Sequence, residues 1–115
     1  MASYKLPNYL RVHRKRLGLS LNEVAFLLGW HGPSQPSRYE HFSRIPALHT
    51  ALALTVILQA SVSELFSGEY QNVKDAVCRQ AQRLEALLTK KNPDPPTLRK
   101  LALLKIIRSV DGNRS

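Results

Sequence analysis

At 115 residues, 43% of them hydrophobic and 22% charged, the chain suits one small domain with a helical appendage and is too apolar for a disordered segment. No run of about 18 apolar residues exists, so no membrane-spanning helix is expected, and Met1 to Lys5 lack the apolar stretch of a secretion signal. The net charge of +9 is spread as seven cations against two anions in residues 1–44, Glu64 alone in residues 45–68, and ten cations against five anions in residues 69–115, a balance that draws polyanions, nucleic acid ahead of acidic membrane.

Helical periodicity runs through the chain and strand signals are nearly absent. Leu6, Tyr9, Leu10, His13 and Leu17 share one face of a first helix, which Gly18 stops. Ser20-Leu21-Asn22-Glu23 spells a capping box, with Leu19 and Val24 at the staple positions. Val24, Ala25, Leu27 and Leu28 then supply the buried face of a second short helix that ends at Gly29. The breaker cluster Trp30-His31-Gly32-Pro33 follows. Ser34 can cap a third helix from Gln35 to about Phe42, with Pro36 in its first turn, where a missing amide costs little.

A fourth helix spans about 47–59. Leu48, Ala51, Leu52, Leu54, Val56 and Leu58 make it apolar nearly all round, which predicts a buried central helix. Ser61 to Phe66 form one more helical turn ending at Gly68. Two longer helices complete the chain. The first, about 69–89, carries the stripe Tyr70, Val73, Val77, Ala81, Leu84 and Leu88. The second, about 98–110, is capped by Thr97 and follows the break Lys90 to Pro96. Residues 111–115 are expected to fray.

The fold class expected is therefore all-α, with a division near residue 68: 1–68 a compact helical domain, 69–115 a helical hairpin. The informative unit is helix, turn, helix from Ser20 to Phe42. A helix of this diameter fits the major groove of B-DNA, where base edges carry a distinguishable donor and acceptor pattern. The third helix bears Ser34, Gln35, Ser37, Arg38 and His41. Gln pairs bidentately with adenine and Arg with guanine.

Five pieces occur in order: Leu17-Gly18-Leu19-Ser20; Glu23-Val24-Ala25 with Leu28-Gly29; Ser37-Arg38-Tyr39-Glu40; Pro46; and Ser61-Val62-Ser63-Glu64-Leu65-Phe66. Together they resemble the phage lambda repressor and Cro-type (XRE-like) helix-turn-helix family of short bacterial regulators, over roughly residues 6–68. The resemblance implies a lambda repressor-like five-helix DNA-binding domain that regulates transcription, often as a dimer, and needs no cofactor. It implies base reading by Ser34, Gln35, Ser37 and Arg38. It also implies a structural ion pair between Arg14 and Glu40. The chain departs from the family at Leu21, where a Gln is usual, at Pro36, at Phe42, where a Gly is usual, and by about one extra residue between Gly29 and Glu40.

Around that core, Arg11, Lys15 and Arg16 are either a phosphate-binding rim or a solvated face. Ser20 and Asn22 serve as caps first and as phosphate contacts second, and His41 is placed to reach a phosphate. Trp30 and Tyr39 are expected to pack. The histidines lack zinc spacing, so no metal is expected. Cys78 has no intramolecular disulfide partner, which fits a reducing cytosol. No phosphate-cradling Gly loop, nucleophilic triad or carboxylate pair is spelled, so no enzyme is expected. The hairpin either packs on the first domain or pairs with a second copy, a homodimer supplying the two half-sites this fold uses. Two other classes stay open. One is an antitoxin-like or adaptor module that takes a protein partner on residues 69–110. The other is a basic RNA or membrane-surface binder.

Overall fold

The structure is a computed structural model and describes residues 6–112. Among them are seven α-helices and no strand: α1 (Leu10–Arg16), α2 (Leu21–Leu27), α3 (Ser34–Glu40), α4 (Leu48–Leu58), α5 (Val62–Leu65), α6 (Ser67–Leu88) and α7 (Pro95–Gly112). The architecture is all-α. Two compact units divide the chain, Met1–Tyr70 and Gln71–Ser115, so α6 begins in one and continues in the other. No described helix is long and apolar enough to cross a membrane.

In the first unit α1 starts a turn later than the apolar register predicts. Pro7 disfavours helical geometry at Leu6, and the Asn8 side-chain oxygen Oδ1 accepts the Leu10 amide at 3.1 Å, opening the helix there. Leu6, ahead of the helix, and Leu17, past its end, lie exposed, and the residues α1 buries are Leu10 and Arg14. α2 begins with the reciprocal capping box. The Glu23 amide donates to Ser20 Oγ at 3.0 Å and the Ser20 amide to Glu23 Oε1 at 2.8 Å. The same device opens α5, where Glu64 faces Ser61. Hydrogen bonds from the Ser61 amide and hydroxyl hold the Glu64 carboxyl below its ordinary pKa.

The first three helices end alike, with a residue at positive φ and two hydrogen bonds that close the last turn. Gly18 (φ 76°) is followed by Leu19, whose amide donates to the Arg14 carbonyl. Gly29 (φ 83°) is followed by Trp30, whose amide donates to the Ala25 carbonyl. In α3 the left-handed position is taken by Phe42 (φ 65°), followed by Ser43, whose amide donates to the Arg38 carbonyl at 3.0 Å. A left-handed conformation costs a residue with a Cβ about 1–2 kcal/mol, and Phe42 is partly exposed. Phe42→Gly is therefore expected to stabilise the protein by about 0.5–1 kcal/mol, after the greater unfolded-state freedom of glycine is subtracted. Urea unfolding followed by the fluorescence of Trp30, the single tryptophan, measures it.

α2 packs on α3, α1 on α3 and α4, and α4 on α5. Leu10, Val24, Tyr39, Ala51, Leu54, Leu58, Leu65 and Phe66 form the core, with Leu19, Leu28, Trp30 and Ile57 against it. Two burial expectations fail. Leu27 is exposed beside Phe26, because α2 turns only Val24 and Ala25 fully inward. α4 is not enclosed all round: Ala51, Leu54 and Leu58 are buried, while Leu48, Leu52 and Val56 face solvent. Gly68 does not end a helix but lies in the first turn of α6, pressed against the backbone of Leu6 and Pro7.

In the second unit Ala81 and Leu88 of α6 pack with Leu104 of α7, flanked by Leu101 and Ile107, and Arg108 bridges to Glu85 at 2.9 Å. Cys78 is half-buried. α7 begins at Pro95 rather than after Thr97. Its cap is Asp94, whose Oδ1 accepts the Thr97 amide at 2.8 Å. Pro95 and Pro96 occupy first-turn positions whose amides need no partner. Hydrogen bonds from the Thr97 hydroxyl and amide hold the Asp94 carboxyl below its ordinary pKa. α7 runs through Gly112, past the point where fraying is expected; residues 113–115 lie outside the described residues.

Candidate nucleic-acid interface

α3 is only seven residues long, SQPSRYE, and a helix this short holds its shape through packing. Its start has no side-chain cap; Pro33 stands at that position, not Ser34. Instead its inner side is anchored. Pro36 and Tyr39 are buried, the Tyr39 ring lies 6.2 Å from that of Trp30 at a 54° tilt, and Asn8 Nδ2 donates to the Tyr39 carbonyl at 2.8 Å.

The last anchor is ionic. Arg14 Nε and Nη2 donate to the two carboxylate oxygens of Glu40 at 2.6 and 3.0 Å, and Arg14 Nη1 donates to the Leu19 carbonyl at 2.9 Å. One planar guanidinium thus ties α1, the α1–α2 loop and the end of α3 together. The hydrogen bonds to Glu40 hold its pKa above the ordinary arginine value. Its charge is neutralised inside the fold and is not presented to a ligand.

The outer side of α3 carries Ser34, Arg38 and His41, all exposed. Ser37 is half-buried, with its hydroxyl 3.3 Å from His41 Nδ1. His41 Nδ1 donates to the Ser37 carbonyl at 2.8 Å, which leaves Nε2 as the ring nitrogen without a partner on the helix. Gln35 is also half-buried, but unlike its neighbours it has a side-chain oxygen, Oε1, enclosed without a hydrogen-bond partner. Of the four candidate base readers, Ser34 and Arg38 stand open, Ser37 partly so, and Gln35 turns its carbonyl inward.

Arg11, Lys15 and Arg16 on α1, and Ser20 and Asn22 at the start of α2, are all exposed. Among the described residues no carboxylate lies within 4.0 Å of Arg11, Lys15, Arg16, Arg38 or Arg44. The first unit therefore shows five exposed cations in or next to the helices that frame α3. Two residues of this arrangement were not among the candidates. Arg44 lies just past the turn His41-Phe42-Ser43 that ends α3, and its charge beside the motif was signal enough. Asn8 anchors both α1 and α3, and an Asn two residues before a helix start is a recognisable capping signal. Beside these residues an open depression of about 340 Å³ lies on α2, lined by Leu19, Asn22, Glu23, Phe26 and Leu27. No protein-family model matches the chain, and neither a curated protein nor a solved structure matches it.

Proposed function

We propose that the protein binds double-stranded DNA in a sequence-dependent manner, as a homodimeric transcriptional regulator with a lambda repressor-like first unit whose α3 enters the major groove. The observation that carries this reading is the two-sidedness of α3. Arg14–Glu40, Asn8, Pro36 and Tyr39 clamp one side into the fold, while the other presents Ser34 and Arg38 to solvent. Arg38 is assigned to a guanine edge and Ser34 and Ser37 to shorter contacts. The enclosed Gln35 carbonyl leaves that residue the weakest of the four base readers. Arg11, Lys15, Arg16, Ser20, Asn22 and His41 are assigned to phosphates, whose contacts position the protein without reading sequence.

Fluorescence anisotropy on a preferred duplex and on a scrambled one, each across a salt series, tests these roles. Arg38→Ala is expected to cost about 1–3 kcal/mol on the preferred duplex and to relax its preference at one base pair. Lys15→Ala is expected to weaken both duplexes alike and to reduce the log–log salt slope by about 0.9. Equal losses on both duplexes for Arg38→Ala would remove α3 from base reading.

One observation favours a second reading, an adaptor or antitoxin-like module. α6 exposes Val73, Val77, Leu84 and Leu87 at near-heptad spacing, and α7 exposes Leu103 and Ile106. Apolar residues in such number suit a protein partner. Tight binding of a partner to the hairpin, with DNA affinity no better than nonspecific, supports that reading over the first.

A further inference from the structure

We infer that the exposed face of α4 is the surface on which a second copy of this chain docks. Ile45, Leu48, Leu52 and Val56 are 70, 73, 48 and 69% exposed. Leu48, Leu52 and Val56 are spaced by four residues and form one ridge along the helix, with Ile45 just ahead of it. Two polar side chains near this ridge are turned back onto the helix itself, while His49 beside it is exposed. Thr55 Oγ1 donates to the Leu52 carbonyl at 2.6 Å, and Gln59 Nε2 donates to the Val56 carbonyl at 2.7 Å.

Charge selects the occupant. Two copies of a +9 chain repel wherever their basic surfaces meet. From Ile45 to Ser63 there is no Lys, Arg, Asp or Glu, so the ridge itself meets its own copy without opposing like charges, Arg44 lying one residue ahead of it. An isologous interface sets one patch against itself, and ridges of four-residue spacing interdigitate at about 50°. Leu52, central in the ridge, then lies nearest the two-fold axis. The hairpin faces are less suited to self-pairing, because α6 and α7 carry the exposed cations Arg79, Arg83, Arg99, Lys100 and Lys105. This inference names the dimer surface of the proposed regulator and rests on that reading only for the use of a dimer. Its test needs no DNA.

Sedimentation velocity of the full chain at micromolar concentration is expected to show a dimer. Leu52→Glu and Leu48→Glu, each at a position open to solvent in the single chain, are expected to yield monomers with unchanged circular dichroism, the dissociation constant rising by at least about tenfold. Val77→Glu on the hairpin is expected to leave the dimer intact. In a Cys78→Ser background, Leu52→Cys is expected to form a disulfide-linked dimer on mild oxidation, and Phe26→Cys to stay monomeric under the same treatment. A wild-type monomer, a dimer broken by Val77→Glu but not by Leu52→Glu, or capture of the α4 face by the hairpin of the same chain would each overturn the inference. Failure of the wild-type dimer to bind any duplex would instead count against the proposed function and leave the interface standing.

Discussion

Glu40→Ala is expected to lower the unfolding free energy by about 3–5 kcal/mol, the usual cost of removing one partner from a buried ion pair. The Arg14 and Glu40 side chains are only 11 and 7% exposed. Without Glu40, the guanidinium keeps the Leu19 carbonyl as its remaining partner, and a charge held away from water is left uncompensated. Most of that loss belongs to the orphaned cation rather than to the pair itself. Arg14→Met with Glu40→Leu, an apolar pair of similar volume, should therefore recover most of it, to within about 1 kcal/mol of wild type. Urea unfolding of Arg14→Met, Glu40→Leu and the double variant, read through Trp30, closes the cycle. A Glu40→Ala loss below about 1 kcal/mol would place the pair in solvent, where exposed ion pairs contribute that little. The functional consequence follows from position, since Glu40 is the last residue of α3. Loosening it should weaken DNA binding by more than the loss of one contact.

Gly68→Ala is expected to be the other severe substitution, at about 3 kcal/mol, the upper range for overpacking a filled site. A Cβ at Gly68 would stand 2.7 Å from the carbonyl carbon of Leu6 and 2.8 Å from Cα of Pro7, and would strike the Leu6 carbonyl oxygen. These are backbone atoms that no rotamer change can move aside. The same crossing carries the hydrogen bonds from the Glu69 amide to the Pro7 carbonyl, at 3.1 Å, and from the Tyr9 amide to the Leu65 carbonyl, at 2.6 Å. Displacing residues 6–9 would therefore loosen Asn8 and, through it, the end of α3. Gly32→Ala is the control, because a Cβ there meets nothing within 4 Å. Its change should stay within about 0.5 kcal/mol. Matching Tm values for the two variants would show that the contact at Gly68 is not what excludes a side chain.

Local signals in the sequence were readable where the physics is local. Ser20 and Glu23 are three residues apart, and their reciprocal hydrogen bonds need no distant partner. Gly18 and Gly29 end helices for the same kind of reason. Contacts between distant residues are not spelled by any spacing. Arg14 and Glu40 are 26 residues apart, and periodicity alone does not pair them; a family resemblance named both. The misreadings share a cause. An apolar circumference on α4 says that burial is favourable, but not that the neighbouring helices suffice to provide it, and Leu48, Leu52 and Val56 are left outside. Pro95 and Pro96 look like a helix break until Asp94 is allowed as the cap. Gln35 and Arg38 share a helix face in outline, yet Pro36 is drawn into the core between them, and the side-chain carbonyl of Gln35 follows it inward.

Selection of the purified full-length protein on a pool of random duplex DNA tests the central claim, that α3 is a clamped reader of base edges, most directly. The expected result is one enriched motif with two-fold symmetry and half-sites about one helical turn apart, with Arg38→Ala relaxing the choice at a single base pair in each half. A pool that stays random while binding remains strongly salt-dependent, or an enriched motif that Arg38→Ala leaves unchanged, would contradict it.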